Sequence, residues 1–274
     1  MAHMTLDLNR YFERIGYRGA ADPTFDVLHE LVTAHTQSIP FENLDPLLKR
    51  SVHLDLPALE RKMLHEGRGG WCYEHNLLLS HALQSLGFRV TGHAARVMSG
   101  APEGVIRPRT HMLLRIDLAE VPYIADVGFG GLTLTTPLRL IPDIEQTTAH
   151  ETFRLLKTDG DFVLQAHVQN MWKSLYSFDL QPQFLPDYEL SNWYLSHHPE
   201  SPFVNNLMAA RVTPDRRYGL FNNKLSIHHL HGNSEQHTLR SSAELRKTRE
   251  TTFAIRLPDE AELDSALGRV IPPS

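Results

Sequence analysis

The hydrophobic rhythm of the chain changes at Gly87, from a period of about 3.6 residues to strict alternation, and few folds accommodate such a switch. Before it, Tyr11, Phe12 and Ile15 form one short amphipathic face closed by Gly16. Asp22-Pro23 suits an N-cap and a first helical residue, with Phe25, Leu28, Leu31, Val32 and His35 following at helical spacing. Ile39-Pro40-Phe41-Glu42-Asn43-Leu44-Asp45 interrupts the pattern as an extended link. Asp55 then opens a helix carrying Leu56, Leu59 and Met63, and Leu77, Leu78, Leu79, Ala82, Leu83 and Leu86 mark another that stops at Gly87. Beyond the switch, segments 88–98, 110–118 and 123–127 read as strands. Segments 153–157 and 162–168 flank Asp159-Gly160, a strong two-residue hairpin signal, and 172–178 adds a further strand. From Asp187 the signals mix: helix over 188–196, strand over 219–229, helices over 243–253 and 259–267. Helices, then strands, then a mixture predict an α+β fold with segregated layers rather than a doubly wound sheet. There are no repeats, low-complexity tracts or long linkers.

A length of 274 residues fits about two domains, and 41% apolar with 22% charged residues is ordinary for a soluble globular protein. A formal net charge of −5 argues against nucleic acid and anionic membrane as partners. A single cysteine rules out an internal disulfide and fits a reducing, cytoplasmic compartment. No stretch approaches the ~20 apolar residues of a membrane span. Met1-Ala2-His3-Met4-Thr5 lacks the apolar core of a signal peptide.

That one cysteine, Cys72, lies in Arg68-Gly69-Gly70-Trp71-Cys72-Tyr73-Glu74, directly ahead of a helical pattern. Unpaired N–H groups and the helix dipole favour negative charge there, which lowers a thiol pKa and makes it nucleophilic. A buried, inert cysteine satisfies the same position. A cysteine nucleophile needs a base, and the base an orienting group. Among 17 histidines, His111 stands out at the start of a strand whose Met112, Leu114, Ile116 and Leu118 alternate onto one face. His111 therefore shares the other face with Leu113, Arg115 and Asp117. Asp126 ends the next strand, so adjacent strands can set a carboxylate beside the imidazole. Gly128, Gly130 and Gly131 follow, and their N–H groups can approach an anion. Periodicity alone is also met by a partly exposed strand histidine and a turn-initiating aspartate. Glu42 and Arg68, charges within core-like text, are expected to pair across the helices. His228, His229 and His231 do not make a metal site: consecutive strand histidines face opposite ways and no cysteine is near. Trp172 and Trp193 read as core residues, and His197-His198-Pro199 as a helix end.

Four blocks in register, Pro40-Phe41-Glu42-Asn43-Leu44-Asp45, Arg68–Glu74, Arg109-Thr110-His111 and Asp126-Val127-Gly128-Phe129-Gly130-Gly131, resemble the arylamine N-acetyltransferase family in its bacterial form. The resemblance implies a helical bundle ending in the cysteine helix (1–87), an antiparallel β-barrel domain carrying histidine and aspartate (88–186) and an α/β lid (187–274), with a core arranged as in papain-like cysteine enzymes. It implies Cys72 as nucleophile, His111 as its base and Asp126 as the group that fixes and charges His111. It places Phe41, Thr110, Phe129 and Phe203 in an acceptor pocket, and Gly128, Gly130 and Gly131 near the pyrophosphate of coenzyme A. The implied reaction moves acetyl from acetyl-CoA to an arylamine or arylhydrazine through acetyl-Cys72, with O-acetylation of N-hydroxyarylamines as a related activity. No metal is required. Exchange between two thioesters is nearly balanced in free energy, which explains a cysteine where a serine ester would be a deeper trap. A cysteine–histidine pair with an adjacent carboxylate can rest as thiolate–imidazolium, with the thiol pKa in such pairs falling to roughly 3–4. Two half-reactions predict ping-pong kinetics. Two alternatives use the same three groups: an amide synthase of the same family that closes a macrocycle, and a papain- or transglutaminase-like hydrolase. Trp71 and His75 depart from the family pattern, which more often has tyrosine at the first position and an apolar or amide residue at the second.

Overall fold

The N-terminal helices begin at side chains that accept backbone N–H groups. The computed structural model describes residues 5–271 apart from 103, 120, 231 and 258–260, so His231 and the first four residues lie outside it. Asp7 accepts from Arg10 N–H to start α1 (Leu8–Ile15), which ends at Gly16 with φ +69°. Thr24, not Asp22, caps α2 (Phe25–Ser38) by accepting the Val27 N–H. Both Asp22 and Pro23 precede the cap. The supposed link at 39–45 holds a two-residue strand, β1 (Phe41–Glu42), and a single turn, α3 (Leu44–Leu47). Asp55 caps α4 (Leu56–Leu59), which runs on into a π-helical turn, Glu60–His65. The cysteine helix is α5 (Cys72–Ser85). Its side chains at 72–76 are all buried, so its first turn is enclosed by neighbouring elements.

The alternating region forms eight antiparallel strands: β2 (Arg89–Val97), β3 (Arg109–Leu118), β4 (Val121–Ala125), β5 (Leu138–Arg139), β6 (Glu145–Thr147), β7 (Thr152–Thr158), β8 (Asp161–Val168) and β9 (Met171–Phe178). Their order is β5-β4-β3-β2-β9-β8-β7-β6. Asp159 and Gly160 both take positive φ, +51° and +92°, which matches the twist a two-residue hairpin needs. Inward residues from seven of these strands and the intervening loops, including Ala95, Leu113, Ile124, Phe153, Leu164 and Tyr176, share one core, so the sheet curls around it. The two edge strands meet through a side chain. Gln146 Oε1 accepts the Arg139 N–H at 2.8 Å and its Nε2 donates to the Arg139 carbonyl at 3.0 Å, completing the barrel. β3 serves two cores: Met112, Leu114 and Ile116 pack against the helices, and Leu113 packs into the barrel.

The last third contains α6 (Leu185–His197), α7 (Pro202–Asn205), β10 (Met208–Thr213), β11 (Arg216–Phe221), β12 (Lys224–His229), β13 (Glu235–Thr238), α8 (Ser242–Thr251) and α9 (Ala261–Arg269). The single strand expected over 219–229 is part of two, because Asn222 turns the chain at φ +52° and pairs Phe221 with Lys224. Asparagine tolerates that left-handed conformation, so the alternation reads straight through the turn. The C-terminal sheet is ordered β1-β10-β11-β12-β13, and Phe41 pairs with Ala210. α6 sends Tyr188 and Leu195 into the helical core. Trp193 lies on its opposite face and is 63% exposed, against the expectation of a core residue. Trp172 is half-buried with the Arg154 guanidinium 4.1 Å above its ring. Among the described residues no helix is long and apolar enough to cross a membrane.

Candidate active site

The helices and the barrel meet at Cys72. As first residue of α5 it has a backbone N–H that no helical carbonyl takes. The preceding Trp71 N–H is received by Glu74 Oε2 at 3.1 Å, a one-sided cap that fixes the start of the helix. β3 brings His111 and the end of β4 brings Asp126. His111 Nε2 lies 2.7 Å from Asp126 Oδ2, with both side chains buried. The imidazole is also close enough to the Cys72 side chain for the thiol to favour its charged form. With Nε2 spent on Asp126, Nδ1 is the nitrogen left for sulfur. Cys72 Sγ is in addition 3.8 Å from the Thr110 carbonyl. Burial works against a charged His111, yet the Asp126 carboxylate, its hydrogen bond and the Cys72 contact outweigh it and push the imidazole pKa up to about 10. Burial likewise opposes ionised Asp126. His111, Asn76 and the Gly128 N–H together hold its carboxyl below the usual range.

Asn76 was not singled out in the sequence, although it lies one turn after Cys72 on the same face. Its Nδ2 donates to Asp126 Oδ1 at 3.1 Å and to the Met112 carbonyl at 2.8 Å, and its Oδ1 accepts the Val127 N–H at 3.2 Å. One side chain on α5 thus ties the helix of Cys72 to the segments that carry His111 and Asp126. Tyr176 was also missed. Its ring packs 4.9 Å from that of His111, behind the imidazole.

Four aromatic groups surround the approach. Phe129 stands edge-on to His111 at 5.2 Å. Phe203 lies 5.3 Å from Trp71 and 6.4 Å from Phe41. Phe41, Thr110, Phe129 and Phe203 are all half-buried. Asn43 Nδ2 donates to the Phe203 carbonyl at 2.8 Å, which links the Phe41 segment to α7. Trp71 is fully buried and its Nε1 donates to Asn192 Oδ1 on α6 at 3.1 Å. The three glycines differ. The Gly128 N–H is taken by Asp126 Oδ1 at 3.0 Å, and a Cβ there would lie 2.6 Å from Cys72 Cα, so this glycine lets β4 close on the cysteine helix. Gly130 has φ +88° and lies under the Phe41 ring, and Gly131 is exposed.

Behind the site lies a charge network. Arg68 Nε donates to Glu42 Oε1 at 2.6 Å, the pairing expected from the sequence, and Arg249 from α8 reaches Glu42 Oε2 at 3.3 Å. Lys62 bridges Asp45 at 2.6 Å and Glu74 at 2.7 Å. Three cations and three carboxylates balance there, which is what makes burial of so many charges tolerable. On the C-terminal sheet His228 bonds Ser234 at 2.8 Å and His229 bonds Glu235 at 2.7 Å. Among the described residues no group of three His, Cys, Asp or Glu side chains could hold a metal ion.

A helical bundle presents a cysteine at a helix start against a barrel that presents histidine and carboxylate, an arrangement of the kind that suits nucleophilic chemistry at sulfur. The relatives make it particular. The family model described as N-acetyltransferase matches residues 24–262. The arylamine N-acetyltransferase of Mycobacterium tuberculosis is 44% identical over 97% of this chain and 98% of its own. The arylamine N-acetyltransferase / N-hydroxyarylamine O-acetyltransferase of Salmonella typhimurium is 43% identical over 77% of this chain and 75% of its own. The solved structure of Mycobacterium marinum arylamine N-acetyltransferase in complex with CoA superposes with a TM-score of 0.94 at 41% identity, covering 97% of this chain and 100% of that one. The chain belongs to the arylamine N-acetyltransferase family.

Proposed function

We propose that this protein transfers an acetyl group from acetyl-CoA to small arylamines and arylhydrazines, and to the hydroxyl of N-hydroxyarylamines, through acetyl-Cys72. One observation carries the assignment of roles: His111 is hydrogen-bonded to Asp126 and lies close enough to Cys72 for the thiol to help raise its pKa. With the proton on His111, the Cys72 sulfur attacks the thioester carbonyl of acetyl-CoA. The carbon–sulfur bond to CoA breaks, and its thiolate takes the proton from His111. The imidazole is then neutral and ready for the second half-reaction. The arylamine nitrogen attacks acetyl-Cys72, its proton passes to His111, and Cys72 leaves. The free Cys72 N–H at the start of α5 is aimed to receive the oxyanion in both steps. Phe41, Phe129 and Phe203 offer flat apolar surface to the arene, and Thr110 frames the mouth. The Gly128 N–H is committed to Asp126, so the pyrophosphate contact falls to Gly130 and Gly131. A donor made in the cytoplasm and a thiol that must stay reduced fit a cytoplasmic enzyme. The amide-synthase and hydrolase alternatives are less favoured, since relatives covering nearly the whole chain are named arylamine N-acetyltransferases.

Incubation with acetyl-CoA followed by mass spectrometry tests the scheme. The expected outcome is one acetyl group on Cys72, discharged by an arylamine. The Cys72→Ser variant should keep its fold and lose turnover by at least about 10³-fold, as removing a catalytic nucleophile does. Acetylation elsewhere, or substantial turnover by the serine variant, would contradict it.

A further inference from the structure

The buried histidine of α5, His75, has no part in the acetyl-transfer scheme. His75 lies one turn beyond Cys72 and is completely buried, as are His35 on α2 and Tyr11 on α1. The three form a chain: Tyr11 Oη to His35 Nδ1 at 2.9 Å, His35 Nε2 to His75 Nδ1 at 2.9 Å, and His75 Nε2 to the Pro40 carbonyl at 3.1 Å. A carbonyl only accepts, so His75 Nε2 carries hydrogen. In a neutral ring Nδ1 is then bare and receives the His35 Nε2–H, and bare His35 Nδ1 receives the Tyr11 hydroxyl proton. Burial drives His75 down to about 4 and His35 well below its ordinary value, so both rings are neutral and the proton order is fixed.

The end of this chain is what matters for the reaction. Pro40 precedes Phe41, and its carbonyl also receives the Gly70 N–H at 3.3 Å, while the Glu42 N–H goes to the Gly70 carbonyl at 2.8 Å. The Phe41 segment is therefore held between Gly70, two residues before the nucleophile, and His75, three residues after it. We infer that His75 is a positioning residue that sets the Phe41 wall against Cys72, and so governs acceptor binding. The inference rests on the proposed reading of Phe41 as an acceptor wall.

The two half-reactions separate this role from a merely structural one. Glutamine places its amide nitrogen near the position of His Nε2 and its oxygen toward His35, whereas asparagine is too short to reach Pro40. His75→Asn should raise the arylamine KM about tenfold and leave the rate of Cys72 acetylation by acetyl-CoA within about twofold, while His75→Gln should recover most of the loss. Equal kinetics for the two variants, or equal slowing of both half-reactions, would overturn it. Nitrogen NMR of the unsubstituted protein gives a second check that needs no variant: His75 must show the Nε2–H tautomer, and an Nδ1–H signal overturns the inference. Failure of the wider scheme would show separately, as absence of acetyl-Cys72 in the unsubstituted protein.

Discussion

His111 and His75 are both buried beside the first turn of α5, 3% and 0% exposed, yet one is held charged and the other neutral. Burial alone disfavours charge at both. The partner decides. His111 meets the carboxylate of Asp126, and His75 meets a backbone carbonyl at one end and another neutral imidazole at the other. A carbonyl dipole fixes which nitrogen bears hydrogen without keeping a second proton on the ring. A carboxylate does both. The same residue type therefore gives a proton store on the barrel side of the helix and a rigid tie on the bundle side.

The most severe way to break this contrast is Asp126→Asn. Asn76 Nδ2 and the Gly128 N–H donate to the Oδ1 position, at 3.1 and 3.0 Å, so the amide oxygen of the variant must stay there. Its NH2 would then face His111 Nε2 and force the hydrogen onto Nδ1, a tautomer unable to accept a proton from the substrate side. The expected result is a loss of about 10³–10⁴-fold in kcat/KM, the scale seen when a catalytic histidine is put in the wrong tautomer. Stopped-flow acetylation of Cys72 and discharge to an arylamine would both slow. A loss below tenfold would mean that the charge of Asp126 is not what the site uses.

The pH dependence of stability should show the two histidines pulling in opposite directions. His111 is raised in the folded state, so its contribution is fully present below about 6.5, the unfolded value, and is lost as pH rises toward about 10. His75 is depressed, so its contribution is present above about 6.5 and is lost as pH falls toward about 4. Each slope is at most about 1.4 kcal/mol per pH unit. In urea unfolding, the unsubstituted protein should lose stability relative to Asp126→Asn between about pH 7 and 9, and relative to His75→Gln between about pH 6 and 4.5. Parallel curves for all three proteins would remove the contrast.

The two sides of α5 also differ in what the sequence revealed. Cys72, His111 and Asp126 were legible because a helix start, a strand alternation and a strand end fix where each side chain points, and four blocks in register supported them. The Glu42–Arg68 pair was legible because two charges stood in apolar text. The Tyr11–His35–His75 chain was not, since Tyr11 and His35 sit on ordinary amphipathic faces and only the crossing of three helices joins them. Asn76 does carry a signal, lying one turn from Cys72 on the same face of its helix. In the fold, the strands of the barrel were read to within two residues of their ends, whereas β5, β6 and β1 are two or three residues long, too short to show a period. The turn at Asn222 was hidden by alternation on both sides of it.

Asn76→Ala supplies the smallest and most discriminating test. Asn76 touches Asp126 without sharing its charge, so removing it separates the carboxylate's electrostatic role from its placement. After truncation Asp126 keeps His111 at 2.7 Å and the Gly128 N–H at 3.0 Å, while the Val127 N–H and Met112 carbonyl lose a buried partner. The expected cost is about 1–3 kcal/mol of stability and about tenfold in kcat/KM, in line with the loss of an orienting hydrogen bond one step removed from the reacting groups. Thermal unfolding and steady-state kinetics measure the two. If Asn76→Ala cost as much activity as Asp126→Asn, orientation of the carboxylate would outweigh its charge, and the contrast between the two histidines would rest on geometry rather than on which partner holds a proton.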